Sequence, residues 1–221
     1  MTLLPHLEIQ PTGEAKSTVI WLHGLGADGN DFAPIVPELQ LPDELGIRFI
    51  FPHAPSLPVT INGGYVMPAW YDILEMSIDR KIDTPQLLKS AAAIEAFIDR
   101  EIERGIPSSK IVIAGFSQGG AVAYQVVLGG RHQLAGLMGL STYFATAGDI
   151  TKPTVAKNLP VFIGHGTIDP VVPESLGQRA CQQLRDLGLQ PQYLTYPMEH
   201  QVCMEEIADI SQWLQDVLKT D

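Results

Sequence analysis

The 221-residue sequence has little cysteine, little positive charge and no long apolar run. Its two cysteines, Cys181 and Cys203, cannot form the disulfide framework that small secreted domains use in place of a core. Both fall in segments with a helical pattern, so both are expected as free thiols. No cluster of Cys and His has zinc-ligand spacing, and no metal is expected. Lys and Arg number 14 against 25 Asp and Glu, a net charge of −11. So acidic a chain lacks the basic face of a dedicated nucleic-acid binder and the polybasic segment of a membrane anchor. No apolar stretch approaches the roughly 18 residues of a membrane-spanning helix. The start, MTLLPHLEIQPTGEAKS, has neither the charged region nor the apolar core of a signal peptide. A cytoplasmic protein with no stable membrane insertion is the expectation.

What is present is a 45% hydrophobic chain, long enough for one domain over residues 1–221 with a full core. Short apolar runs alternate with longer periodic ones. STVIWLHG (Ser17–Gly24), IRFIFPHA (Ile47–Ala54), KIVIAGF (Lys110–Phe116), LAGLMGLS (Leu134–Ser141), LPVFIGHG (Leu159–Gly166) and PQYLTYP (Pro191–Pro197) read as strands, with an edge strand near Leu7–Ile9. Several are apolar without alternation, which suits strands covered on both faces. Leu87, Ala91, Ile94, Ile98 and Ile102 mark one face of a helix over about Pro85–Arg104. Further helices are expected after Gly119, from Pro173 and from Cys203, with a short one within Asp31–Leu39. This alternation predicts an α/β fold with a mostly parallel sheet flanked by helices on both faces.

Ile111–Gly120 reads IVIAGFSQGG, and residues 115–119 match G-x-S-x-G with a strand before and a helix after. Glycines on either side let strand and helix pack close to a sharp turn that presents Ser117, while the helix N-terminus faces any oxyanion that forms. The bland alternative is a glycine-rich turn with an incidental serine. A nucleophilic serine needs a base and an orienting acid, in the chain order Ser, Asp or Glu, His, each beyond a strand end. Asp169 follows a predicted strand, although capping the next helix is an equally open role for it. His200 follows the last strand and is the best candidate for the base. His6, His53, His132 and His165 rank lower, and His165 is expected to shape the turn near Asp169. Oxyanion donors are expected at the Gln118 N–H and, from the glycine turn WLHGLGADGNDF, at the Leu25 N–H. Pro55–Thr84 has no clean period yet is rich in apolar groups, as functional loops often are. Tyr65, Met67 and Trp70 in it are expected to line the channel to Ser117. Packing on the core or on a dimer partner is the alternative.

HGLGADGNDF (His23–Phe32), MPAWYDI (Met67–Ile73), GFSQGG (Gly115–Gly120), LSTYF (Leu140–Phe144), HGTIDPVVP (His165–Pro173) and YPMEHQV (Tyr196–Val202) together resemble the carboxylesterase / acyl-protein thioesterase family of small α/β-hydrolases. The resemblance runs from about residue 17 to the end. It implies an α/β-hydrolase fold without a cap domain, a triad of Ser117, Asp169 and His200, and an oxyanion hole at Leu25 and Gln118. It implies hydrolysis of short- to medium-chain acyl esters. The alternative main role is acyl-protein thioesterase or lysophospholipase activity, with an acylated protein or a lysophospholipid as substrate. The family needs no cofactor, and its members often form homodimers. Many members read YPMGHSV where this chain has Glu199 and Gln201 around His200, and a carboxylate beside the base favours its protonated form. The rivals are a non-enzymatic binding protein and an acyltransferase on the same scaffold.

Overall fold

Along Ser17–Leu22 the side chains alternate between two buried faces. Ile20 and Leu22 join an apolar cluster with Leu87, Ile94 and Phe97, while Val19 and Trp21 join another with Ile210, Trp213 and Leu214. A strand that buries both faces must lie inside a sheet with helices on either side. The computed structural model describes residues 3–76, 80–150, 153 and 158–219, and has this architecture. In chain order its elements are β1 (His6–Ile9), β2 (Ser17–Leu22), α1 (Ile35–Glu38), β3 (Ile47–Pro52), β4 (Ser56–Val59), β5 (Tyr65–Pro68), β6 (Ile73–Glu75) and β7 (Lys81–Ile82). There follow α2 (Thr84–Glu103), β8 (Ile111–Phe116), α3 (Gln118–Gly129), β9 (Gly136–Leu140), β10 (Val161–Gly166), α4 (Glu174–Asp186), β11 (Gln192–Tyr196) and α5 (Met204–Leu218).

The main sheet has the order β1-β3-β2-β8-β9-β10-β11. The pairing of β1 with β3 is antiparallel and the other pairings are parallel. Residues of α2, α3 and α4 share one face of the sheet with Ile113 and Ile163, and residues of α1 and α5 share the other with Val112 and Phe162. The winding reverses between β2 and β8, because the chain goes from β2 outward to β3 and later returns to β2's other side. Loops leaving the two strands there diverge and open a crevice at their C-terminal ends. The glycine turn after β2 and Ser117 after β8 both sit at this point.

The segment 55–84 differs from the structureless reading of the sequence. It holds two small antiparallel hairpins, β4 with β5 and β6 with β7; residues 77–79, between β6 and β7, lie outside the described set. Strands of two to four residues cannot build a visible period of two, and Pro58 and Pro68 interrupt the first pair. Asp72 fixes the segment by accepting from the Thr60 N–H (2.7 Å) and hydroxyl (2.6 Å). In the connection from β9 to β10, residues 151–152 and 154–157 lie outside the described set. Cys181 is a buried free thiol in α4, as expected, whereas Cys203 stands at the N-cap of α5 rather than within the helix.

Glu206, in the first turn of α5, is fully buried and neither carboxyl oxygen has a hydrogen-bond partner. It lies against Gly164 of β10, where an added Cβ would fall 2.0 Å from Oε1. Burial, with the nearby Asp209 carboxylate, pushes its pKa up to about 8. The folded protein therefore holds Glu206 protonated at pH values where the unfolded chain has released the proton. Its contribution to stability is complete below the ordinary value of 4.5, falls as pH rises from there, and is lost above about 8. We expect Glu206→Gln to flatten this alkaline decline. Thermal midpoints measured at about pH 5 and about pH 9 should separate more in the wild type than in the variant.

Candidate active site

The turn between β8 and α3 is as tight as a backbone allows. A Cβ on Gly115 would lie 2.4 Å from the Gly119 carbonyl oxygen, and one on Gly119 would lie 2.5 Å from the carbonyl oxygens of Leu22 and His23. Glycine at both places lets α3 start directly against β8 and β2. Between them Ser117 adopts φ 53° and ψ −119°, a conformation that costs a non-glycine residue of the order of 1–3 kcal/mol. Two bonds hold it there. The Ser117 N–H donates to the Leu140 carbonyl (2.9 Å), and the Thr142 hydroxyl donates to the Ser117 carbonyl (2.6 Å).

Loops after three parallel strands bring Ser117, His200 and Asp169 into one hydrogen-bonded chain. Ser117 Oγ lies 3.0 Å from His200 Nε2, and His200 Nδ1 lies 2.6 Å from Asp169 Oδ2. The second carboxylate oxygen of Asp169 accepts from the Val171 and Val172 N–H groups, both at 2.8 Å. Asp169 therefore both stabilises its own loop and faces the imidazole. The Asp169 carboxylate is fully buried, and Phe116 packs on the His200 ring at 4.7 Å between centroids. With Nδ1–H donated to the carboxylate, Nε2 faces Ser117 Oγ as an acceptor.

The turn after β2 is closed by Gly26 N–H donating to Pro68 O (2.8 Å) and Ala27 N–H to Gly24 O (3.3 Å). Neither bond uses the Leu25 N–H. Gln118 is the first residue of α3, so its own N–H has no intrahelical acceptor. Leu25, Gln118, Ser117 and His200 all border one cavity of about 330 Å³. Its remaining wall is mostly apolar, with Ile61, Ile73, Met76, Phe116 and Val171, and carries Asp31, Asn62, Arg80 and Tyr143 as polar groups. A larger cavity of about 520 Å³ lies along α2 beside Asp99 and Arg131, but holds no nucleophile and base in contact.

Tyr65, Met67 and Trp70, expected from the sequence along the channel to Ser117, are not among the residues that border this cavity. Trp70 is 1% exposed, and its indole N–H donates to the His23 carbonyl (2.8 Å). The Met67 sulfur lies near Gly26 and accepts from Asn62 Nδ2 (3.4 Å), while Tyr65 is 70% exposed. Tyr65 and Met67 lie two apart on β5 and so share one side of that hairpin. The wall from this segment is formed by Ile61, Ile73 and Met76.

Two positioning groups have no marker in the sequence beyond lying inside quoted blocks. The Gln118 side chain accepts from the Trp70 N–H (2.8 Å) and donates to the Tyr71 carbonyl (2.6 Å), fastening the hairpin segment to the serine turn. His23 is buried, with Nδ1 2.7 Å from the Gly24 carbonyl and Nε2 accepting from the Ala54 N–H (3.0 Å). Burial holds its pKa below the usual histidine value, and both bonds fit the neutral tautomer. His165 behaves likewise: it is buried, its pKa is lowered by burial, and Nε2 lies 2.8 Å from the Val172 carbonyl. Both histidines shape loops. His53 accepts from the Gly29 N–H, and His6 and His132 lie beside Arg100 and Asp99, away from Ser117. Glu199 is exposed, and among the described residues the only carboxylate paired with His200 is Asp169.

Residues 5–218 match the family described as phospholipase/carboxylesterase. The chain is 38% identical over 225 residues to acyl-protein thioesterase 1 of Neurospora crassa, a match covering 97% of this chain and 92% of that protein. Among solved structures it is similar to Arabidopsis thaliana SOBER1, with a TM-score of 0.85, 32% identity, and 93% and 100% of the two chains covered. Zea mays acyl-protein thioesterase 2 superposes with a TM-score of 0.86 at 28% identity, covering 98% of this chain and 100% of that one. From β1 to α5, then, the chain belongs to the phospholipase/carboxylesterase family: it is a serine hydrolase with an α/β-hydrolase fold.

Proposed function

We propose that the protein hydrolyses short- to medium-chain acyl esters through an acyl-enzyme on Ser117. The observation that supports this most directly is the serine–histidine–aspartate chain at 3.0 and 2.6 Å, opening on a largely apolar cavity. In this reading Ser117 Oγ attacks the acyl carbonyl while His200 Nε2 takes its proton. Asp169 holds the imidazole and stabilises the imidazolium. The N–H groups of Leu25 and Gln118 receive the oxyanion, aided by the positive end of α3. His200 then returns the proton to the leaving alcohol or thiol, and a water activated by the same imidazole releases the acid.

The acyl chain is assigned to the wall of Ile61, Ile73 and Met76. A cavity of about 330 Å³ falls at the small end of ligand-site volumes and suits a short or medium acyl chain. The second reading, thioesterase action on an acylated protein, is supported by the relative named acyl-protein thioesterase 1 at 38% identity. The chemistry would differ only in the leaving atom. Rates with p-nitrophenyl esters of increasing chain length, run beside an acyl thioester of a cysteine peptide, separate the two readings.

Ser117→Ala should retain the wild-type thermal midpoint and lose about three or more orders of magnitude in turnover, leaving what binding and the oxyanion donors supply. A variant that keeps more than a few per cent of the rate would remove Ser117 from the nucleophile's role. A fluorophosphonate probe should label the wild type rapidly and His200→Ala far more slowly. Met76 is 49% exposed, so truncating it tests the wall at small cost to the core. Each buried methylene of an acyl chain is worth up to about 0.8 kcal/mol, so Met76→Ala should lower kcat/KM more for octanoyl than for acetyl esters. An equal loss for both would place the acyl chain elsewhere.

A further inference from the structure

Several cations of this acidic protein are held by carboxylates. Arg48, Arg100, Arg104 and Arg131 all contact carboxylates, and Lys81, at the start of β7, pairs with Glu75 (3.5 Å). Arg80, the preceding residue, is different. Among the described residues no carboxylate pairs with it. Its guanidinium carbon stands 4.9 Å above the Tyr143 ring, Nη2 donates to the Val171 carbonyl (2.5 Å), and Nη1 meets the Met76 sulfur (3.1 Å), a weak acceptor. Its Nε–H is buried and has no acceptor. A guanidinium offers five donors in a fixed fork; here the Val171 carbonyl and the Tyr143 hydroxyl engage it, and the Nε–H is left without an acceptor. The group belongs to the wall of the cavity that holds Ser117 and His200.

A buried donor without an acceptor is costly. Tyr143 beneath it is buried, whereas Met76 and Val171 beside it are partly exposed, so only the Nε–H side of the guanidinium is shielded from water. Tyr143 is itself fixed, its hydroxyl 2.7 Å from that of Tyr71, so the platform beneath the guanidinium is rigid. The cavity also contains a carboxylate, Asp31, on the segment that follows the oxyanion turn. An anion in the cavity is thus drawn to the hairpin wall and repelled from the turn, which gives it one orientation.

We propose that Arg80 is a specificity-determining residue that receives a second, anionic group of the substrate, a carboxylate or a phosphate, while Ser117 attacks the ester or thioester carbonyl. The favoured substrates are then bifunctional: monoesters or thioesters of short dicarboxylic acids, with the anion on the acyl side, or acyl esters of phosphorylated alcohols, with the anion on the leaving group. The same guanidinium chemistry serves both, through paired N–H donors to two oxygens. This rests on the reading of the cavity as the site of acyl transfer.

The experiment measures kcat/KM for matched pairs, glutaryl against valeryl p-nitrophenyl ester and acetyl glycerol phosphate against monoacetylglycerol, in wild type, Arg80→Gln and Arg80→Lys. The wild type should favour the anionic member of at least one pair, chiefly through KM. Arg80→Gln should lower that preference by about tenfold or more, and Arg80→Lys should restore part of it. Which pair responds identifies the side that carries the anion. A structural strap from Arg80 to the Val171 loop would instead lower both members of a pair by one factor, and that result overturns the proposal. Direct calorimetric binding of glutarate against valerate separates this inference from the reading beneath it. If no ester is hydrolysed yet glutarate binding depends on Arg80, the hydrolytic reading fails and the anion site stands. If glutarate and valerate bind alike in wild type and Arg80→Gln, the anion site fails.

Discussion

Everything at this site depends on how near α3 comes to the β2 and β8 strand ends. The approach is possible only because Gly115 and Gly119 lack Cβ atoms, and it leaves Ser117 with a positive φ that no relaxed turn would choose. The strain is held by the sheet through the Leu140 carbonyl and the Thr142 hydroxyl. The cost of one unfavourable backbone conformation is offset by hydrogen bonds and packing that exist only in the folded state, so the serine is fixed before any substrate arrives.

The other groups follow from the same sheet. Asp169 and His200 leave β10 and β11, which pair in parallel with His165 opposite Thr195 and Gly166 opposite Tyr196, so both loops emerge at one level. The loop from β2 emerges on the far side of Ser117, where the strand order reverses. Ser117 with Asp169 and His200 on one flank and backbone N–H groups on the other is the arrangement that a switch point in a doubly wound sheet offers.

Much of this was legible in the sequence because it is local. Alternating apolar runs and helical faces mark the strands and helices, and G-x-S-x-G carries its own steric logic. The order Ser117, Asp169, His200, each after a strand, is readable as well. That the three meet within hydrogen-bond reach is a property of strand pairing rather than of any short stretch. The hairpins of the 55–84 segment were not legible, since strands of two to four residues broken by proline leave no period. Nor were their facings. Trp70 is an aromatic in an apolar loop by sequence, and only the tertiary structure turns it inward to the His23 carbonyl and leaves the cavity to Ile61, Ile73 and Met76. Arg80 belongs to no motif at all. That no carboxylate pairs with it among the described residues is visible only in the fold.

The joint between Gln118 and the Trp70–Tyr71 backbone has a consequence for how such a protein can diversify. One side chain, contributed by the serine turn itself, fastens the hairpin region to the reacting centre through main-chain atoms of its partners. Main-chain acceptors and donors are indifferent to which side chains the hairpins carry. Residues on the hairpins' outer positions, such as Leu74 and Val66, are exposed and free of that joint. Mutation can therefore explore new wall shapes and charges without loosening the serine, so substrate range can drift while the hydrolytic apparatus stays fixed.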